Sequence, residues 1–297
     1  MRPGEASFTF GPRVLYPLKA AATRARSLAW RLKPRHSDDP GLRILLYHRI
    51  SDDCDPLAVS PRRFREQMEL LAGGGLVATD VAAATRRSAD DPDALSIALS
   101  FDDGYSDVAE HALPILEALG FGATVFVATG LVDGTFRPTW YERSPSLLGW
   151  PEISELDRRG TLRFEAHSIS HRNLTRLDDG EARLEIVESK RILERELGRE
   201  VEAFSYPGGV SGEREHALVE DAGYRFAVTC EPGLNPSGAR PFALRRTQID
   251  ARDTLLDFRA KLGGGHDTAL PGRSLYRRAR YGGSIPARTS SFAYRSR

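Results

Sequence analysis

Ser100-Phe101-Asp102-Asp103-Gly104 closes the apolar run 95–101, and its reading decides the fold. Along a strand, adjacent side chains point to opposite faces, so Asp102 and Asp103 can serve one site only if the strand ends there. Gly104 admits the backbone conformations such a turn needs. Downstream, 107–119 carries Val108, Ala112, Ile115, Leu116 and Leu119 at helical spacing, which makes strand, turn and helix one βα unit. The unit recurs in both directions. Strand candidates are 43–48, 75–80, 95–101, 123–128, 163–167, 202–206, 225–229 and 243–250. Helices are predicted over 61–71, with Phe64, Met68 and Leu71 on one face, and over 178–197 and 211–222. Gly120 and Gly198 stand where C-terminal caps belong. Repeated βα units predict a parallel sheet, closed into a barrel or left open and doubly wound. Asp102-Asp103, His167 and Tyr206-Pro207-Gly208 end three different strand candidates, and polar groups gathered at strand carboxyl ends suit a barrel-like sheet.

The chain of 297 residues is 40% apolar, enough for one large α/β domain or two small ones. Its 42 basic and 41 acidic residues leave a formal charge of +1, which excludes a whole-protein field tuned to nucleic acid. Cys54 and Cys230 are far apart and read as free thiols of a reducing compartment. Residues 1–40 form a basic arm, partly helical or disordered, with Arg24, Arg26, Arg31, Lys33 and Arg35 among Leu28, Ala29, Trp30 and Leu32. It reads as a solvated terminal helix; the alternative is an amphipathic arm touching an anionic membrane surface. No signal peptide or spanning run is recognised there, so the expected location is cytoplasmic, with the inner membrane face as the place the arm would reach. Residues 41–263 hold the βα pattern, and 264–297 read as a basic disordered tail.

About sixty residues beyond the two aspartates stands His167-Ser168-Ile169-Ser170-His171. An aspartate at a strand-to-helix junction is commonly an N-cap, but the histidine pair favours a metal site. One carboxylate and two imidazoles bind a divalent ion and leave a position open for water, the layout of a catalytic centre, while the second aspartate is free to act as a base. Structural zinc sites are usually closed by four ligands rich in cysteine, which this chain lacks.

The motifs SFDDG at 100–104, HSISH at 167–171 and FSYPGG at 204–209 resemble those of the polysaccharide deacetylases, carbohydrate esterase family 4, over roughly 42–262. The resemblance implies a distorted (β/α) barrel in which Asp103, His167 and His171 bind one divalent ion, zinc foremost, and Asp102 is the general base. It also implies an N-acetylated or, less often, O-acetylated sugar as substrate, and the Tyr206 backbone amide as oxyanion donor. Many members carry an arginine in the third motif, where Ser205 stands here. Arg246 is the candidate to supply that charge from a neighbouring strand. The usual late histidine is matched only by the poorly spaced His266, so His48 is expected in the site, protonating the leaving amine or orienting substrate. Tyr206, Pro207, Gly208, Arg246 and Trp140 are the expected substrate-binding residues. Trp140 belongs to an aromatic stretch, 129–151, that either stacks on sugar rings or covers the end of the sheet. The expected activity is removal of acetyl groups from N-acetylated sugars of a glycan or glycolipid precursor; alternatives are an O-acetyl esterase and a glycan-binding protein that has lost turnover.

Overall fold

The structure is a computed structural model that describes residues 7–8, 15–32, 39–138 and 141–268. Strands are β1 Ser7–Phe8, β2 Gly41–Tyr47, β3 Arg49–Ile50, β4 Ala58–Val59, β5 Ala78–Thr79, β6 Leu95–Asp102, β7 Ala123–Val127, β8 Tyr141–Arg143, β9 Leu162–Ala166, β10 Ala203–Ser205, β11 Phe226–Val228 and β12 Arg246–Gln248. Helices are α1 Leu15–Arg31, α2 Pro61–Gly73, α3 Val81–Asp90, α4 Leu113–Leu119, α5 Thr129–Val132, α6 Trp150–Arg159, α7 Asp179–Leu197, α8 Glu213–Asp221 and α9 Leu255–Leu262.

Seven parallel strands run in the order β11-β10-β9-β7-β6-β2-β12, with β5 attached to β6. The ends nearly meet. Val228 bridges Leu244 just ahead of β12, where the Thr229 amide donates to the Leu244 carbonyl at 2.8 Å and the Leu244 amide to that of Ala227 at 2.9 Å. The expected barrel is therefore what forms, in place of an open sheet. β2 is buried along its whole length, as a parallel strand covered on both faces must be. Helices α2, α4, α6 and α7 lay Phe64, Met68, Leu116, Ile153, Ile186 and Leu193 over the outer face in one apolar layer.

Register brings the carboxyl ends to one level: Asp102 lies beside Phe126, Val127 beside Ala166, and Ala166 beside Phe204. All eight strand candidates are present: 123–128, 202–206 and 225–229 are shortened by one or two residues, 75–80 and 243–250 by four and five, and the other three keep or exceed their expected length. Four helices that periodicity did not single out, α3, α5, α6 and α9, complete the ring.

Within the N-terminal segment, the described helix α1 lies against the barrel. α1 packs along α9: the Trp30 indole donates to the Gly263 carbonyl at 3.0 Å, Arg24 pairs with Asp257 at 3.0 Å, and Lys19 with Asp250 at 2.7 Å. Arg26 is spent on the carbonyls of Gly265 and Thr268. Of the cations offered for a membrane surface, Arg24 and Arg26 are thus turned onto the barrel and Arg31 is exposed, while Lys33, Arg35 and the tail 269–297 lie outside the described residues. No helix among the described residues is long and apolar enough to cross a membrane.

Candidate active site

Asp102 is the last residue of β6 and faces the barrel lumen, as Ala98 and Ser100 do at the same period of two. Buried beneath it is Arg246, the first residue of β12. Its Nη1 and Nη2 donate to the two Asp102 oxygens at 2.7 and 2.8 Å, a bidentate fork. Nη2 also donates to Ser205 Oγ at 3.0 Å and Nε to the Thr229 carbonyl at 2.8 Å. The guanidinium lies 5.7 Å over the Phe126 ring. Burial alone would push the Asp102 carboxyl up, but the Arg246 charge, His167 and the Arg246 hydrogen bonds hold it well below the usual carboxylate range. Arg246 is 0% exposed, so it belongs to Asp102 and not, as expected, to the wall that substrate touches.

The chain turns at the next residue. Asp103 has φ +77° and Gly104 φ +76°, both left-handed. A Cβ on Gly104 would stand 2.7 Å from Val127 Cγ1, so glycine is required there for space as well as for conformation. The turn swings the Asp103 carboxylate to the same side as Asp102. Asp103 Oδ1 lies 3.8 Å from His167 Nε2 and 3.6 Å from His171 Nε2, and no described residue hydrogen-bonds it although it is buried. Burial first, and then the charge of Asp102, push the Asp103 carboxyl up to about 8, against a hydrogen bond from Tyr105 that pulls it down.

His167 follows β9 and continues the ladder, its amide donating to the Val127 carbonyl at 2.9 Å. Its Nδ1 lies 2.6 Å from the Ser205 carbonyl, which can only accept, so Nδ1 carries the hydrogen and Nε2 presents a lone pair toward Asp103. His171 returns over the ring of His167 at 4.7 Å between centroids. Ser168 and His171, with φ +64° and +58°, are the remaining non-glycine residues at positive φ among those described, so all three such residues lie in this one site.

The donor atoms of Asp103, His167 and His171 lie within 4.8 Å of one another. A buried acceptor without a hydrogen bond, beside two imidazoles that desolvation pushes toward the neutral form, helped by Arg246 at His167 and by His167 at His171, fits a divalent cation. Around this centre stands a layer the sequence reading missed. Tyr105, buried behind Asp103, is held by Arg49 at 5.6 Å over its ring and by Tyr141 at its edge. Arg49 is itself gripped by Asp53, Asp55 and Asp107 at 2.6, 2.7 and 2.8 Å, and the Tyr141 hydroxyl donates to Asp55.

His48 follows β2 and is close enough to feel the charges of Asp102, Arg246 and His167; burial dominates and pushes its imidazole down to about 4. Tyr206 departs from expectation. Its backbone amide donates to the Val228 carbonyl at 3.3 Å and its hydroxyl to the Phe242 carbonyl at 3.0 Å, so both donors point into the shell. Pro207 has no N–H. The next amide in the chain is that of Gly208, partly exposed and left-handed at φ +65°. His266 is at the opposite, amino end of the strands, 3.1 Å from Ser27 Oγ, and takes no part. Trp140 lies outside the described residues. Within the aromatic stretch Tyr141 turns inward and Trp150 opens α6 with its indole on Asp133, so both cover the fold, while Phe136 is the more exposed ring.

Fold and site together define an α/β barrel whose strand carboxyl ends carry a cluster that fits a divalent cation, with an ionised acid beside it. A family model described as polysaccharide deacetylase matches residues 89–227. Residues 89–227 thus carry the sequence pattern of the polysaccharide deacetylase family. The chain is 27% identical over 210 residues to the Bacillus subtilis protein YxkH, provisionally named as a polysaccharide deacetylase, covering 70% of this chain and 71% of that one. It is 23% identical over 145 residues to the poly-beta-1,6-N-acetyl-D-glucosamine N-deacetylase of Staphylococcus aureus, and that match spans about half of each protein, 46% and 48%. The Streptococcus pyogenes deacetylase PplD, solved in complex with acetate, shares the fold with a TM-score of 0.65 at 21% identity, covering 75% of this chain and 99% of that one.

Proposed function

We propose that this protein is a metal-dependent deacetylase that hydrolyses the acetamide of an N-acetylated sugar unit in a glycan or glycolipid precursor, with 41–263 as the catalytic unit. The observation that carries the reading is the Asp102–Arg246 ion pair set against the Asp103, His167 and His171 cluster: an acid kept ionised beside a cation site. Two imidazoles and one carboxylate favour zinc. A divalent ion held there supplies Lewis acidity, lowering the pKa of a bound water from 15.7 to about 7 and polarising the acetyl carbonyl.

The chain's own residues do the rest. Asp102, ionised under the charge of Arg246, accepts one proton from the attacking water, whose oxygen forms the new bond to the acetyl carbon. The Gly208 amide, and not that of Tyr206, is the donor we assign to the developing oxyanion. When the C–N bond breaks, the nitrogen needs a proton. His48 is neutral at pH 7 in the free protein, so it passes on the proton that Asp102 has taken, and acetate and a free amine leave. An N-acetyl rather than an O-acetyl group is preferred because an alkoxide leaves without such help and an amide nitrogen does not.

The test is acetate release from N-acetylglucosamine oligomers and from acetylated xylan, with and without a chelator. Release from the oligomers that stops on chelation and returns with zinc supports the reading; release from xylan alone would replace it with an esterase. Asp102→Asn should retain metal and lose roughly 10²–10⁴-fold in turnover, the range of a general base.

A further inference from the structure

We propose that Glu185, on α7, is a positioning residue for the metal site, its carboxylate setting the loop that carries His167 and His171. The inference rests on the reading of Asp103, His167 and His171 as metal ligands.

The loop does not hold its shape by itself. Ser168 and His171 both occupy the left-handed region, at about 1–3 kcal/mol each for residues with a side chain. Within the loop, the His171 amide donates to Ser168 Oγ at 3.0 Å and opposes that strain. On the barrel side the Thr129 and Gly130 amides donate to the carbonyls of Ser168 and Ile169 at 3.1 and 2.9 Å. These bonds satisfy carbonyls. The amides of Ile169 and Ser170 point the other way, toward α7, and both donate to Glu185 Oε2 at 2.9 Å. Glu185 Oε1 accepts from the Ser170 hydroxyl, and from Arg172 Nε at 3.4 Å. One carboxylate therefore takes donors from Ile169 and Ser170, which lie between the two imidazoles, and from Arg172 just beyond them.

Its place on the helix argues the same. Glu185 lies on the buried stripe of α7 with Ala182, Ile186, Ser189, Ile192 and Leu193. A carboxylate at a packed position is costly unless fully hydrogen-bonded. An apolar residue there would pack as well and would leave two half-buried amides without acceptors. What the acid adds is the direction of the loop, and through it the angle at which both Nε2 atoms face Asp103.

The experiment measures Co²⁺ binding to the full-length protein by competition with a chromophoric chelator and by the visible absorption of the bound ion. Glu185→Met, similar in length and without acceptors, should weaken Co²⁺ binding about 10–100-fold, the usual effect of losing a residue that orients ligands, and change the absorption band. Glu185→Gln, which keeps an oxygen for both amides, should restore affinity to within about threefold. Ile192→Ala, on the same stripe, should lower stability but leave Co²⁺ affinity unchanged, which separates positioning from packing. At saturating metal, deacetylation by Glu185→Met should recover most of its rate. If Glu185→Met does not fold, Glu185→Asp, with its oxygens drawn back by one methylene, carries the test with a smaller loss. Wild-type affinity in Glu185→Met, or equal weakening by Ile192→Ala, overturns the proposal. A wild-type protein that binds no Co²⁺ overturns the metal-site reading itself.

Discussion

Two aspartates adjacent in sequence end with opposite protonation, and the difference comes from their neighbours rather than their burial, since both are enclosed. Asp102 has a guanidinium on its two oxygens; Asp103 has Asp102. Replacing Arg246 with Met leaves a buried carboxylate unpaired, which should cost about 3–5 kcal/mol, read by urea unfolding at pH 7. The sign of the pH effect follows. Asp102 is depressed in the folded state, so without Arg246 its pKa rises and the acid limb of the kcat/KM profile should move to higher pH. Arg246→Lys, which keeps the charge but not the fork, should fall between the two. His48 offers a second check. Its folded pKa of about 4 lies below the ordinary 6.5, so the unfolded chain binds the proton first. Stability should be full above pH 6.5 and fall as pH drops toward 4. His48→Gln should remove on the order of 2 kcal/mol from the difference in unfolding free energy between pH 4.5 and 7.

At the scale of elements, strands were legible because a covered parallel strand is a continuous apolar run, and 95–101 or 123–128 can hardly be anything else. Their ends carried the polar cluster, so Asp102, Asp103, His167 and His171 could be found by reading to where each run stops. Helices α3 and α6 were harder: Ala82, Ala84, Ile153 and Leu156 give short, thin faces, and Trp150 drew attention to its ring instead of to the helix it begins. Tyr105 and Glu185 were invisible for another reason, since what each does depends on a partner on a different element. Arg246 could be guessed only because a charge was missing opposite it. α1 shows the limit most clearly, because basic residues in sequence say nothing of the acids that meet them in space. Since Trp30 lies against Gly263 and Gly265, with 2.7–2.8 Å to a Cβ built on either, the contact leaves no room for a larger residue. Trp30→Ala should lower stability by about 2–3 kcal/mol without changing kcat, measured by thermal unfolding and acetate release on one preparation.

Over the whole molecule, the barrel carries at its carboxyl end a group that works against folding. The raised pKa of Asp103 means that, in metal-stripped protein, the native state holds a proton that the unfolded chain has released between pH 4 and about 8. The stabilising linkage is thus complete below pH 4 and lost as pH rises through 8, and at neutral pH the stripped protein folds against a penalty of a few kcal/mol. A cation at the cluster offsets that penalty, stabilising the native state over the stripped one by about 2.7 kcal/mol in all when free metal is a hundred times its dissociation constant at that pH. Chelation should therefore lower the unfolding temperature by several degrees, more at pH 8 than at pH 5, and zinc should restore it. Asp103→Asn should do the reverse of a damaging substitution. Without the buried second charge it should be more stable than the stripped wild type at pH 7 to 8, show little response to zinc, and release no acetate. Scanning calorimetry of the two proteins with and without zinc decides this, and a stripped wild type no less stable than Asp103→Asn would mean that the paired acids do not oppose the fold.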